Sequence, residues 1–215
     1  ACTLLIAPIV IVVVIAFGSQ SYLRFPPESF SLRWFQTFFL SPAWRASLGL
    51  SLVIAIVACI ISTVVGFFAA YAFVRSTMRY KALLLSLLLM PMIVPVVVTA
   101  IALYFWSARL GLIGNVLWIG SCHAVVALPI VLLILLSTIQ GVDPNLERAA
   151  FSLAANRWRV FTKVVIPLTM PGLVSAALFA FLTSFDELLI SLFLTKVRDQ
   201  TLPVRIWNSL HLEVE

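Results

Sequence analysis

Long apolar runs that hold no lysine or arginine constrain this chain more than any other feature of its sequence. Four of them exceed the roughly 20 residues with which a helix crosses the hydrocarbon layer of a bilayer. Only helices and closed barrels satisfy the backbone in lipid, and the ten-residue alternation of barrel strands is missing here. We therefore predict an all-α polytopic membrane protein, a single transmembrane domain over residues 1–215. Its predicted spans are 3–17, 46–74, 82–104, 116–139 and 172–195.

Composition supports this class. Only 10% of the residues are charged and the mean hydropathy is +1.15, whereas soluble domains carry about 25% charged residues. The net charge of +6 matches the cationic anchors that flank membrane spans, so we predict membrane lipid and no nucleic acid as its partner. Cys2, Cys59 and Cys122 lie in or beside apolar runs without paired spacing. We interpret them as small buried hydrophobes and predict no metal site.

Prolines interrupt two of the predicted spans. Pro91 and Pro95 lie four residues apart in the third, and Pro129 lies in the fourth. Proline removes a backbone hydrogen bond and kinks a helix, which a membrane tolerates where neighbouring helices or a watery cavity satisfy the freed carbonyls. For any one of them the alternatives are a simple packing kink and a role in a transport pathway. Together they favour a transporter over a bundle of simple anchors.

One polar, basic segment lies between the last two predicted spans. Of the 21 residues from Glu147 to Pro167, five are charged. Asp143 before Pro144 predicts a helix start, and Asn156 predicts a second cap. We expect a helix–turn–helix outside the membrane core, or alternatively an amphipathic helix that lies on the lipid surface. Its apolar handles would be Phe151, Leu153, Trp158 and Phe161.

This segment resembles the EAA loop of ABC-importer permeases, so residues 140–171 are called the EAA-like loop below. The family pattern is E-A-A, three residues, a glycine, nine residues and I-x-L-P. Ala149 and Ala150 match the alanines, and "VVIP" ending at Pro167 falls at the correct distance. The motif's acid falls on Arg148, with Glu147 one place earlier, and its glycine falls on Ala154. The resemblance assigns ATPase coupling to Glu147, Arg148, Ala149, Ala150, Phe151, Ala154, Asn156, Arg157 and Trp158.

Three further stretches resemble the spermidine/putrescine-type permeases: "FPPESFSLRWF" (25–35), "LTSFDELLISLFLT" (182–195) and "TLPVRIWNSL" (201–210). The resemblance implies a MetI-like fold with six spans, five of them present here, so we expect the sixth to follow Glu215. It also implies a multi-pass protein of the bacterial cytoplasmic (inner) membrane. The sequence contains no Walker motif, so we expect no cofactor and no enzyme activity on this chain.

The resemblance also implies partners. These are a cytosolic ATPase that receives the EAA-like loop as a coupling helix, a second homologous permease, as a homodimer or heterodimer, and an extracytoplasmic substrate-binding protein. An amphipathic helix with apolar handles and cations can seat in a protein groove, which agrees with this expectation.

Asp186 and Glu187 are the only acids inside any predicted span. Counted from Gly172 at about 1.5 Å per residue, Asp186 lies roughly 21 Å into a helix, beyond the midplane. Ionisable residues at such depth mark substrate pathways. Adjacent helical residues point about 100° apart, so we expect one acid to face the pathway and the other a neighbouring helix. With Ser184 and Phe185 they form the predicted pathway.

A cationic polyamine is the substrate class that such acids serve, and the resemblance implies the same. The alternatives are that the acids only bond to the second permease, and that the solute is ferric iron, thiosulfate or an opine-like compound. A stand-alone channel or secondary transporter would be favoured by inverted repeats, of which the sequence shows no convincing case. An intramembrane enzyme would need a larger polar constellation than His123 and one acid pair. We expect His123 to pack against a neighbour's polar group.

Overall fold

The computed structural model describes residues 2–20 and 25–212, and most of this part of the chain is helical. Besides α-helices it contains a 3₁₀ turn at Met90–Met92 and a π turn at Phe161–Val165. The described residues form no strand, so the predicted all-α class is confirmed. The helices are α1 Cys2–Ala16, α2 Arg33–Leu40, α3 Pro42–Arg75, α4 Lys81–Leu89, α5 Val96–Leu110, α6 Val116–Gln140, α7 Pro144–Ser152, α8 Arg157–Val160, α9 Ile166–Phe185, α10 Leu189–Leu194 and α11 Leu202–Leu212.

The chain divides into two compact units, and Leu48 is the last residue of the first. In this first unit the chain turns back after α1, with an isolated bridge between Gly18 and Phe30. The ring of Phe17 packs 5.1 Å from that of Phe35 on α2. Trp34 and other aromatic side chains of α2 remain exposed, as is common where a helix meets the membrane–water boundary.

In the second unit, α6 is the central helix. Side chains four residues apart along it are fully buried, among them Ala127, Val131, Leu135 and Ile139. One apolar cluster joins this stripe to α3 and α9, and a second joins the start of α6 to α3, α5 and α10. Because a residue recurs on the same helix face about every four positions, α6 packs along its whole length.

Small residues allow α9 to approach α6 closely. Gly172, Ala176 and Ala180 recur at intervals of four on α9, and both alanines are fully buried. A Cβ atom added to Gly172 would collide with the side chain of Thr138 on α6. This spacing is the small-xxx-small pattern that brings helix backbones together in membranes. The α6–α9 pair is therefore a tight contact that fixes α9.

The third predicted span, 82–104, is broken. The helices Lys81–Met92 and Val96–Leu110 meet at an angle of 95°, with Pro91 inside the 3₁₀ turn and Pro95 as the N-cap of α5. Proline disfavours helical backbone at the residue before it, so Val94 cannot continue the helix. The prolines therefore produce a sharp break where a kink was predicted.

Three described helices are long and apolar enough to cross a membrane: Pro42–Arg75, Val116–Gln140 and Arg157–Phe185. The bent pair makes a fourth if it is one span. The first predicted span, 3–17, corresponds to α1, which is shorter than these helices.

The last predicted span, 172–195, has different boundaries in the structure. The helix begins at Arg157, runs through the π turn and ends at Phe185. Pro167 is the second residue of α9, shortly after the π turn, and it does not end this continuous helix. Asp186 is the C-cap of α9, and a new helix begins at Leu189. The premise that both acids lie inside one helix is therefore wrong.

Candidate functional site

Both predicted caps of the EAA-like loop are present. Asp143 accepts a hydrogen bond at 2.9 Å from the backbone N–H of Asn145, with Pro144 at the first position of α7. Asn156 accepts one at 2.8 Å from the N–H of Arg159 and starts α8. These side chains satisfy amides that a helix start leaves without partners. The predicted helix–turn–helix is confirmed, although its second helix continues into α9.

Ala154 holds the left-handed turn that the family motif gives to glycine. Its φ is +58°. The N–H of Ala155 donates to the carbonyl of Ala150 at 3.2 Å, and the N–H of Ala154 donates to Phe151 at 3.0 Å, the bond pair of a Schellman motif. A left-handed conformation costs an L-residue about 1–2 kcal/mol. The turn is thus kept despite the missing glycine.

Most of the predicted handles form an exposed surface, which we call the outer face. Leu153 is 84% exposed, Trp158 70% and Phe151 45%. Phe161 is the exception, since its ring stacks on that of Phe68 of α3 at 5.6 Å. Ala149 is exposed and Ala150 half-buried. The cations Arg148, Arg157 and Arg159 are also exposed and complete the outer face.

Glu147 does not belong to the outer face. It is only 7% exposed and lies against the end of α3. The hydroxyl of Tyr71 donates to its Oε2 at 3.0 Å, and Nε of Arg75 donates to its Oε1 at 2.7 Å. Arg75 also donates to the carbonyl of Val142 at 2.9 Å. The adjacent residues Glu147 and Arg148, both predicted for coupling, thus lie in different environments.

The two acids after α9 also have different surroundings. Oε1 of Glu187 accepts the N–H groups of Leu189 and Ile190 at 2.9 and 3.1 Å, so this carboxylate caps the start of α10. Asp186 is exposed at the end of α9. The expectation that one acid faces a pathway therefore points to Asp186.

Asp186 lines a cavity of about 310 Å³ between the end of α9 and α11. The other lining side chains are apolar or aromatic. A carboxylate can bind an ammonium group, while aromatic faces attract cations and apolar walls contact methylene stems. The lining residues are Phe185, Asp186, Leu188, Leu202, Pro203, Ile206, Trp207 and Leu210.

Ser184 is buried behind this cavity. Nδ1 of His123 on α6 lies 2.9 Å from the Ser184 hydroxyl, and its Nε2 lies 3.2 Å from the hydroxyl of Ser191 on α10. His123 therefore connects α6 to both sides of the break, as expected of a histidine packed against polar neighbours. Sequence reasoning missed Ser191, because a serine in an apolar helix carries no signal of its partner. No group of His, Cys, Asp and Glu among the described residues could hold a metal ion.

Residues 62–210 match the family model described as "Binding-protein-dependent transport system inner membrane component". This range contains the EAA-like loop, the break at Asp186 and the C-terminal part of α3. The chain belongs to this family. As an inner membrane component with several long apolar helices, it is a multi-pass inner-membrane protein, which confirms the predicted localisation.

Relatives within this family transport different solutes. The chain is 32% identical over 108 residues to the spermidine/putrescine transport system permease protein PotC of Haemophilus influenzae, covering 50% of this chain and 38% of PotC. It is 39% identical over 72 residues to the molybdenum transport system permease protein ModB of Escherichia coli K12, covering 33% and 31%. The chain thus spans well under half the length of these two relatives. Their range of solutes leaves the polyamine prediction unconfirmed.

A solved structure supports the fold. The chain is similar to a chain in the crystal structure of a bacterial ABC transporter involved in the import of the acidic polysaccharide alginate. The TM-score is 0.73 at 15% identity, and the match covers 96% of this chain and 74% of the other. At this identity the likeness concerns the fold alone, and it agrees with the predicted MetI-like permease.

Proposed function

We propose that this chain is a permease subunit of an ATP-driven importer and that its EAA-like loop docks on a cytosolic ATPase. The observation that carries this proposal is the outer face. It combines exposed Trp158 and Leu153 with several arginines, and tryptophan and arginine are enriched at the energetic centres of protein interfaces. A capped helix pair that presents such side chains suits a groove on a partner.

The other proposed partners follow from this role. ATP binds to the partner ATPase, because this sequence has no Walker motif. A second permease completes the pathway, and an extracytoplasmic binding protein delivers the solute, as the family's description suggests. The chain itself supplies the moving membrane helices and performs no chemistry.

The cavity at Asp186 supports a cationic solute of the polyamine class. Its one carboxylate lies beside Phe185 and Trp207 among apolar walls. An anionic solute would be repelled by this carboxylate, and a neutral one would gain no attraction between opposite charges from it. A polyamine has ammonium groups for the carboxylate and methylene stems for the apolar walls.

Co-purification tests the docking proposal. A tagged chain expressed with its neighbouring subunits is expected to retain an ATPase and a second permease after detergent extraction. Trp158→Asp is the matched variant, since it places a charge on the outer face and should release the ATPase but keep the second permease. Recovery of the unmodified chain without an ATPase would contradict the proposal.

Topology gives an independent test. The proposal places Asn156 in the cytosol and Gln36 outside. Asn156→Cys and Gln36→Cys are introduced separately into a chain whose Cys2, Cys59 and Cys122 are replaced by alanine. An impermeant thiol reagent added to intact cells should label position 36 alone. Labelling of position 156 from outside would place the loop on the wrong side for an ATPase.

A further inference from the structure

The buried carboxylate of Glu147 is unusual in its helix, because it is the buried residue of α7 in a segment that otherwise faces outward. Its partners come from a different part of the chain. Tyr71 and Arg75 lie 76 and 72 residues earlier, one helical turn apart at the end of α3. Residues four apart share a helix face, so both reach the same carboxylate.

Arg75 extends this contact to the backbone. It is the last residue of α3, and it donates both to Glu147 and to the carbonyl of Val142, just before α7. A cation at a helix C-terminus is favourable, and the planar guanidinium holds two acceptors in a fixed geometry. The end of α3 is thereby joined to the start and the middle of the loop's first helix.

We infer that Glu147, Arg75 and Tyr71 form a clamp that transmits movement of the EAA-like loop to α3. This inference rests on the proposed function, since it assumes that an ATPase moves the loop. The Arg75 side chain is 17% exposed and that of Glu147 9%. Parting such a pair leaves a buried charge without its partner, which is strongly unfavourable. When the loop moves, α3 therefore moves with it.

The aromatic contacts between Phe161 and α3 fix the relative position of the loop and α3 less strictly than the clamp does. Phe161 packs on Phe67, Phe68 and Tyr71 of α3, but apolar packing is non-directional, and rings can slide past one another. The clamp fixes the register because hydrogen bonds require defined distances and angles. Its residues are positioning residues and contact no solute.

The test measures movement at the far end of the protein without using a solute. Leu210→Cys, which lines the Asp186 cavity, is placed in a chain whose other cysteines are alanine. The complex with its ATPase is reconstituted in nanodiscs, and maleimide labelling is timed with and without ATP plus vanadate. In the complex whose clamp residues are unchanged, we expect the labelling rate at position 210 to change on vanadate trapping.

Glu147→Gln and Arg75→Gln should retain the ATPase and trap nucleotide but lose most of this change. Loss of one charge-assisted hydrogen bond should shift the equilibrium between the joined and the parted arrangement of the loop and α3 by roughly ten-fold or more. The double variant should be no worse than Arg75→Gln alone, because that variant already breaks the contact with Glu147 as well as the bond to Val142. Tyr71→Phe keeps the ring and the ion pair, so it should fold normally and reduce the change less.

Arg79→Gln is the matched control, since Arg79 is exposed in the following loop and lies outside the clamp. It should respond like the unmodified complex. A full labelling change in both Glu147→Gln and Arg75→Gln would overturn the clamp, as would additive effects in the double variant. If no ATPase is retained, or if the unmodified complex does not respond to ATP, the proposed function fails first and the clamp falls with it.

Discussion

Two carboxylates that flank the long helix from Arg157 to Phe185, Glu147 on α7 before it and Asp186 directly after it, have opposite surroundings. At the loop end, Glu147 is buried and bonded to Arg75 and Tyr71. At the other end, Asp186 is exposed and lines a cavity. Each acid is adjacent to a second charged residue in the sequence, so the sequence pattern alone does not distinguish them. The comparison teaches that the neighbouring helix, not the residue type, decides whether a carboxylate fixes structure or faces a ligand.

The two ends also differ in how they are attached to the rest of the unit. The loop end uses a charged pair, whereas the break near Asp186 uses the neutral groups of His123, Ser184 and Ser191. A charge deep in a bilayer is costly, so neutral hydrogen bonds suit the interior. An ion pair suits the end of a helix that reaches water.

The largest expected effect tests whether the loop end binds protein. Trp158→Asp should reduce uptake by at least about a hundred-fold, because it removes an aromatic anchor and places a charge in the interface. Uptake of labelled spermidine by cells with equal amounts of the membrane complex measures this. Arg109→Gln, at the exposed C-terminal end of α5, is the matched control and should leave uptake unchanged. Normal uptake by Trp158→Asp would show that the outer face is not a docking surface.

The next effect separates the two acids at the break. Asp186→Asn should raise the spermidine concentration for half-maximal uptake roughly ten- to hundred-fold, since it removes one charge-assisted contact. Glu187→Gln keeps an oxygen that can accept the N–H groups of Leu189 and Ile190, so it should change uptake much less. Uptake against concentration at equal complex yield decides this. Equal curves for both variants would remove the argument for a cationic solute.

A smaller effect concerns the polar attachment at the break. His123→Ala should lower the free energy of unfolding by about 1–3 kcal/mol, because two buried serine hydroxyls lose a partner. Cys122→Ala, which removes a buried side chain of α6 that packs in an apolar cluster next to His123, is the control. Thermal unfolding in detergent compares the two. Equal losses would mean that His123 contributes by packing alone.

The smallest expected effect is a gain in the stability of the EAA-like loop. Ala154→Gly should stabilise the loop by roughly 0.5–1 kcal/mol, because glycine adopts the left-handed turn without the alanine's strain but loses more entropy on folding. Ala149→Gly is the matched control, since it lies inside α7 and should destabilise. Limited proteolysis of the loop in the purified complex measures both. Faster cleavage of Ala154→Gly would contradict the observed turn.

The sequence was sufficient for the parts that depend on local chemistry. The all-α class follows from uncharged apolar runs, and the caps at Asp143 and Asn156 follow from side chains that accept backbone N–H groups. The break after α9 was missed, because "SFDELLIS" is apolar enough to continue a helix. Only the capping bond of Glu187 to α10 shows where the second helix begins.

Contacts between distant segments could not be predicted from the sequence. Glu147 and Arg148 are neighbours in one amphipathic stretch, and no periodicity indicates that Glu147 turns inward to Arg75. Likewise, the last span was predicted to begin at residue 172, but the helix already begins at Arg157 and continues through the π turn and Pro167. Such outcomes depend on tertiary packing, which overrides local preference.

The π turn at Phe161–Val165 has a geometric consequence for the helix that contains it. A π turn holds an extra residue, and each residue advances an α-helix by about 100°. The side chains before the turn are therefore out of phase with those after it by roughly that angle. A single helical wheel drawn from Arg157 to Phe185 would therefore place the side chains of one of the two parts on the wrong face. Two separate wheels are therefore needed, one for each side of the π turn. The first gives the direction of the exposed Trp158, and the second gives the direction in which Ala176 and Ala180 pack against α6.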